Sequence, residues 1–208
     1  MPDLNVTTTV ATAKFSWGRA ASGDVTEKHI LKSLRRIGVQ LQATLMRKAS
    51  NDLLQKRTGN LTRAIFYRIE QFGMDVLVRV GVDLMKAIYG RIHEHGGIIT
   101  PKRAKYLTIP VGPNLTATGV MRVGAREFIS NPQSLGFAGS FVNPARTAIM
   151  GRKTGGAIEA VFALKTSVTL KPTNYISSSL GENTDFIKDE AKKIGEGIAL
   201  EVVGARTD

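Results

Sequence analysis

The densest cluster of groups able to do chemistry is His93-Glu94-His95, two imidazoles flanking a carboxylate, a set that can hold a divalent metal or move a proton. The spacing argues against both. On a helix the two rings point nearly opposite ways, whereas zinc-binding helices place their histidines one turn apart, as in H-E-x-x-H, and no third ligand lies close in sequence. A structural or interface role is expected instead. Gly151-Arg152-Lys153-Thr154-Gly155-Gly156 has the composition of a phosphate cradle, but its Lys-Thr precedes the paired glycines, the reverse of the Walker order, so a flexible basic loop is expected. Ser140, in Ala138-Gly139-Ser140-Phe141, lacks the second glycine of a nucleophile elbow, and the three histidines have no triad spacing. No enzymatic activity, metal or cofactor is predicted. Lys102, Arg103 and Lys105 beside Tyr106 could hold a nucleic-acid backbone and stack a base. The alternating strand around Tyr106 favours a ring packed against a sheet, with the three charges solvated.

The elements that must position these groups follow from the hydrophobic periods. From Asp24 to Arg57 apolar residues recur at Ile30, Leu34, Ile37, Leu41, Leu45, Ala49 and Leu53 behind an Asp24 to Glu27 capping box, which predicts one continuous long helix, with Gly38 and Ser50-Asn51 as the points where it could break. Arg35-Arg36 and Arg47-Lys48 fall on its solvated face. Before it, Val6, Thr8 and Val10 alternate, giving an extra strand or a disordered arm within residues 1–23. After Thr58-Gly59-Asn60 the period changes to two, with Leu61, Ile65, Tyr67 and Ile69 on one strand and Val76, Val78, Val80 and Val82 on the next, a hairpin turning at 71–75. A helical piece over 84–95, brief strands at Ile98-Ile99 and at 106–109, and a strand or strand pair over 157–170 follow. Residues 112–156 are glycine-rich, carry three prolines and keep no period apart from a hint of strand at 120–123, so a long functional loop is expected there. The last helix opens on Glu182 and Asp185 and buries Ile187, Ala191, Ile194 and Ile198. Strands grouped between two amphipathic helices predict an α+β fold, an antiparallel sheet with the N-terminal and C-terminal helices on one face, as a single domain over 24–208.

With 208 residues and no cysteine, the chain can build a core without disulfides or thiolate metal sites. A cytosolic origin is expected, since no secretory leader pattern opens the sequence. The longest uncharged stretch, 128–145, is broken by Asn131, Pro132, Asn143 and Pro144, so no membrane span is expected. Net charge is +12, which calls for an anionic neighbour. Residues 24–57 carry +5, 91–126 carry +5 and 143–171 carry +4, while 182–208 carry −3. A basic body with an acidic last helix could pair head to tail with copies of itself or could bind nucleic acid, and charge alone leaves both open.

Thr58-Gly59-Asn60-Leu61, the Tyr89 to Gly97 run Y-G-R-I-H-E-H-G-G, and the Ile99 to Pro110 run I-T-P-K-R-A-K-Y-L-T-I-P together resemble the tail-completion, or virion-morphogenesis, proteins of long-tailed bacteriophages. That family has T-G-x-L after a long helix, then Y-x-x-x-H-E/Q-F/H-G-G, then P-K-x-A-K-x-L-x-I-P. Further on, Pro172 matches a short P-x-R-P-F-L motif, although Asn174-Tyr175-Ile176 stands in place of Arg-Pro-Phe. The resemblance spans about residues 24–200 and is densest over 58–110. It implies a non-enzymatic structural protein of the virion neck, formed in the host cytoplasm and placed at the head-tail junction. The implied partners are copies of itself in a six-fold ring, the head connector or stopper, the tail terminator or tube protein, and genomic DNA through backbone charge. It makes Thr58, Gly59, Leu61, His93, Glu94, Gly96 and Gly97 fold or interface residues. Lys102, Arg103, Lys105, Arg152 and Lys153 are the residues expected to face DNA or a partner. Under this reading the 112–156 loop is a docking arm whose deletion leaves a folded subunit. The alternative is a basic nucleic-acid-binding protein acting outside a virion, and a metal-dependent hydrolase ranks last.

Overall fold

The computed structural model describes the backbone of residues 3–7, 10–16, 24–54, 58–72 and 75–204, and side chains for 10, 14, 30–50, 53–54, 58–71 and 76–196. Thr8 and the side chains of Asp24, Glu27 and Ile198 lie outside the described residues. The architecture is α+β with antiparallel sheets. Where a single domain is expected over 24–208, the chain divides into two compact units, one formed by residues 1–96 and 171–208, the other by 97–170.

The first unit is built on long periodic elements. Strands β1 (Asp3–Thr7), β2 (Val10–Ser16), β3 (Ile65–Phe72) and β4 (Asp75–Val82) form one antiparallel sheet in the order β1-β2-β4-β3. The N-terminal alternation is therefore strand, with Val10 paired to Gly81. Helix α1 (Asp24–Arg47) lies on β3 and β4, and its stripe of Ile30, Leu34, Ile37, Leu41 and Leu45 is at most 1% exposed. It meets Val76, Val78, Val80 and Val82, also buried, and each side chain so removed from water contributes about 1.5–3 kcal/mol. The helix runs through Gly38 because Tyr67 needs the space: a Cβ there would sit 2.6 Å from the ring. The α-helix expected to continue to Arg57 ends at Arg47 and passes into a π turn at Lys48–Asp52, which contains Ser50-Asn51, one of the two possible break points.

Leu61 is not part of the strand. It is buried within a single helical turn, α2 (Asn60–Arg63), and β3 begins only at Ile65. Likewise the helical stretch expected over 84–95 is mostly turn, with helix α3 confined to Gly90–His95. The C-terminal region holds two helices, α5 (Tyr175–Glu182) and α6 (Thr184–Gly204). Asp185 stands in the first turn of α6, Ile187 and Ile194 are buried, and α6 packs along α1.

The second unit is made of short pieces. A two-stranded ladder joins β5 (Gly97–Ile99) to β10 (Val168–Leu170), and a sheet of order β6-β9-β8-β7 contains β6 (Leu107–Pro110), β7 (Gly139–Val142), β8 (Ala148–Arg152) and β9 (Ile158–Lys165). Helix α4 (Ala125–Ser130) and two single 3-10 turns complete it. Residues 112–156 are thus not one long loop; they supply α4, β7 and β8, and around 120–123 only an isolated Leu115–Met121 bridge rather than a strand. Val123, Phe128, Phe137 and Ile149 from this stretch close a core with Val161 and Phe162. Phe128 lies edge-on to Phe137 at 5.7 Å and tilted against Phe162 at 6.1 Å. Deleting 112–156 would therefore remove two of the three core rings rather than shed an arm. The glycine content has a packing reason at Gly151, where a Cβ would meet Phe137 at 2.5 Å. The alternation expected over 157–170 is broken by a shift of register opposite Ile149 and Met150. Val161 and Phe162 are consequently consecutive and both wholly buried, as an extra residue in one strand allows.

Candidate functional site

Glu94 is the group on which the first unit's local structure converges. It sits in α3 with its side chain fully buried. Its carboxylate accepts hydrogen bonds from the backbone N–H of Ile176 at 2.7 Å, from the N–H of Ser177 at 3.1 Å and from the Ser177 hydroxyl at 2.6 Å. These amides belong to the second and third residues of α5, the positions that an N-cap side chain normally satisfies. Asn174, the residue in the cap position, has φ 49° and makes no side-chain cap. A carboxylate 82 residues earlier does so instead, placing negative charge at the positive end of the helix.

The backbone continues the same junction. The carbonyl of Glu94 accepts from Asn174 N–H, and the carbonyl of His93 accepts from both the N–H (2.9 Å) and the hydroxyl (2.7 Å) of Thr173. Tyr175 donates its hydroxyl to the Gly90 carbonyl at 3.1 Å, and burial, with the Glu94 charge close by, pushes that phenol far above its usual range. Gly90 is packed so closely that a Cβ would meet Val82, the Tyr175 hydroxyl and Leu61 at 3.0–3.4 Å. Gly59, with φ 73°, turns the chain into α2 so that Leu61 reaches this contact, while Thr58 stays exposed and its carbonyl accepts from Arg63. Gly96, with φ 68°, ends α3 in a backbone conformation that glycine adopts without strain. Gly97 follows it as the first residue of β5.

Chemically, the Glu94 carboxylate at this junction is spent on ordering a helix, while His93 is partly buried and His95 is exposed. The His93 ring lies edge-on to Tyr89 at 5.8 Å, and burial holds its pKa below the usual histidine value. No group of three metal-ligating acidic, histidine or cysteine residues occurs among the described residues. The Ser140 hydroxyl donates to the carbonyl of Ile129 at 3.3 Å. Among the described residues no helix is long and apolar enough to cross a membrane.

The basic candidates belong to the second unit, and the structure separates them. Lys102, Arg103 and Lys105 are exposed on residues 100–106, just before β6. Tyr106 precedes that strand rather than standing within it; it is half-buried, with the Lys105 ammonium 5.7 Å from its ring. Arg152 and Lys153 lie at the far end of β9, since Arg152 pairs with Ile158 whereas Leu107 pairs with Lys165. Seven residues of strand place the two groups about 23 Å apart. The expected flexible loop around Lys153 is a tight hairpin turn, in which Lys153 N–H bonds the Ala157 carbonyl and its ammonium pairs with Glu159. Arg152 stacks over Phe141 at 5.6 Å.

Several residues lay outside the sequence prediction. Tyr175, Ile176 and Ser177 form the other half of the Glu94 junction; the signal was their apolar, hydroxyl-rich run directly after Pro172. Buried Asn114 holds Val123 through both its N–H and its carbonyl, at 2.9 Å each, and no periodicity marks it. No protein-family model matches the chain, and neither curated proteins nor solved structures provide a match.

Proposed function

We propose that this chain is a structural protein of a bacteriophage neck, a tail-completion subunit that joins the tail to the head connector and assembles as a ring around the DNA passage. The observation that carries the reading is the Glu94 junction. Two of the three runs that carry the resemblance, Thr58 to Leu61 and Tyr89 to Gly97, meet there with the start of α5, and the Glu94 carboxylate and the Gly90 carbonyl are spent on fixing α3 against α5. Residues used this way serve a shape rather than a reaction. Exposed apolar groups in the first unit also support the reading. Met85 is 96% exposed and Ile88 80% exposed, on the turn that leads into α3. Exposed apolar groups of this size beside a rigid junction suit contact with another subunit.

Virion assembly tests the reading. Particles made without this chain are expected to accumulate filled heads and finished tails that do not join, and Met85→Asp with Ile88→Asp should give a folded protein that fails to restore joining. Full infectivity without the chain would end the proposal. A free nucleic-acid-binding protein remains the second reading, favoured by the charge of the second unit, and would give no joining defect.

A further inference from the structure

Residues 97–170 carry nine of the chain's lysines and arginines but only two carboxylates, Glu127 and Glu159. The placement of these charges says more than their number. The ladder between β5 and β10 ends at Ile99 opposite Val168, and the next ladder begins at Leu107 opposite Lys165. Between them one strand spends only residues 166–167, while the other spends residues 100–106. The longer side must bow outwards, and it carries Lys102, Arg103 and Lys105, all exposed. Lys165 stands at its base. Arg146 joins from the β7–β8 turn, where Thr147 accepts from Leu164 N–H at 2.7 Å, one residue from Lys165. None of these five cations pairs with a carboxylate among the described residues, and no acidic residue occurs in 100–107, 142–148 or 163–168.

A second copy of this chain is a poor counterpart, because among the described acids of its last helices all but Asp189 are already paired with a cation of the same chain. Glu182 pairs with Arg47 and Lys48, Glu190 with Lys193 and Arg36, Asp185 with Lys188 and Glu196 with Lys192. Tyr106, half-buried against Lys105, adds an aromatic edge to the cationic bow. We propose that residues 100–106, with Arg146 and Lys165, form a nucleic-acid surface that holds the phosphate backbone without reading bases. It stands on charge placement alone and does not rest on the neck reading. Long cationic side chains on a turn and a bow can follow phosphates, and neutralising them releases counterions, which makes affinity steeply salt-dependent.

The test uses the full chain and a labelled duplex of about 20 base pairs, followed by fluorescence anisotropy from about 50 to 200 mM salt. The variant carries Lys102→Gln, Arg103→Gln, Lys105→Gln, Lys165→Gln and Arg146→Asn, the last because position 146 has φ 53°. Its circular dichroism should match the parent. Affinity is expected to fall about 100-fold or more at the lowest salt, and the salt slope by about 4. Arg152→Gln with Lys153→Gln should change affinity by less than about threefold, and duplexes of unrelated sequence should bind alike. Equal loss from both variants, or an unchanged slope, would overturn the assignment. So would polyglutamate competing as well as duplex of equal charge, which would make the surface one for acidic protein. Virion joining is scored separately, so loss of this surface leaves the neck proposal to its own test.

Discussion

The two units solve the problem of making a core in different ways. The first stacks a helix stripe running from Ile30 to Ala49 on a row of four valines, so each residue repeats its neighbour's environment. The second wraps short strands and one helix around Phe128, Phe137 and Phe162, so a few large side chains do what many periodic ones do elsewhere. A repeated core tolerates loss at one point better than a core of three rings.

That contrast can be broken most sharply at the rings. Phe128→Ala or Phe162→Ala should cost about 3–5 kcal/mol, with hydrogen exchange rising throughout residues 97–170 and little in α1. Uniform loss of protection in both units would show that they do not unfold separately. At the Glu94 junction, Glu94→Ala should cost about 2–4 kcal/mol in urea unfolding, because two helix amides lose their acceptor inside the protein, while Glu94→Gln should cost less. A similar test of close packing is Gly151→Ala, expected to cost about 1–3 kcal/mol as Phe137 is displaced. Gly38→Ala opposes that strain with better helix propensity, so its cost against Tyr67 should be smaller than that of Gly151→Ala.

The smallest effect concerns pH. The folded pKa of His93 lies below its unfolded value of 6.5, because burial disfavours the charged ring. Its contribution to stability is complete above 6.5 and is lost as pH falls through the lower folded value. His93→Gln should flatten that part of the stability profile, and an unchanged slope would assign it to other groups.

The same contrast explains what was legible in advance. The stripe of α1 and the valines of β4 stand at fixed intervals, so their faces could be read directly. Phe128 and Phe137 sit among glycines and prolines at irregular spacing, and nothing local says that distant β9 will meet them. The bulge in β9 compounds this, because it buries Val161 beside Phe162 and breaks the period that had been visible. At the site, Glu94 could be read only as the carboxylate between two histidines and as a fold or interface residue, because its partners lie 82 residues away and only the folded chain brings them close. The basic cluster was half legible: Lys102, Arg103 and Lys105 are neighbours in sequence, whereas Arg146 and Lys165 reach them through strand register.

The pairing of Gly97 with Leu170 makes the second unit a cassette. Its entry and exit lie side by side, about 5 Å apart as opposed residues of an antiparallel ladder are. A two-residue turn can bridge such a gap, so the whole insert could be exchanged or removed by gene splicing while the chain on either side keeps its course. A lineage could accordingly replace this module without redesigning the fold that carries it.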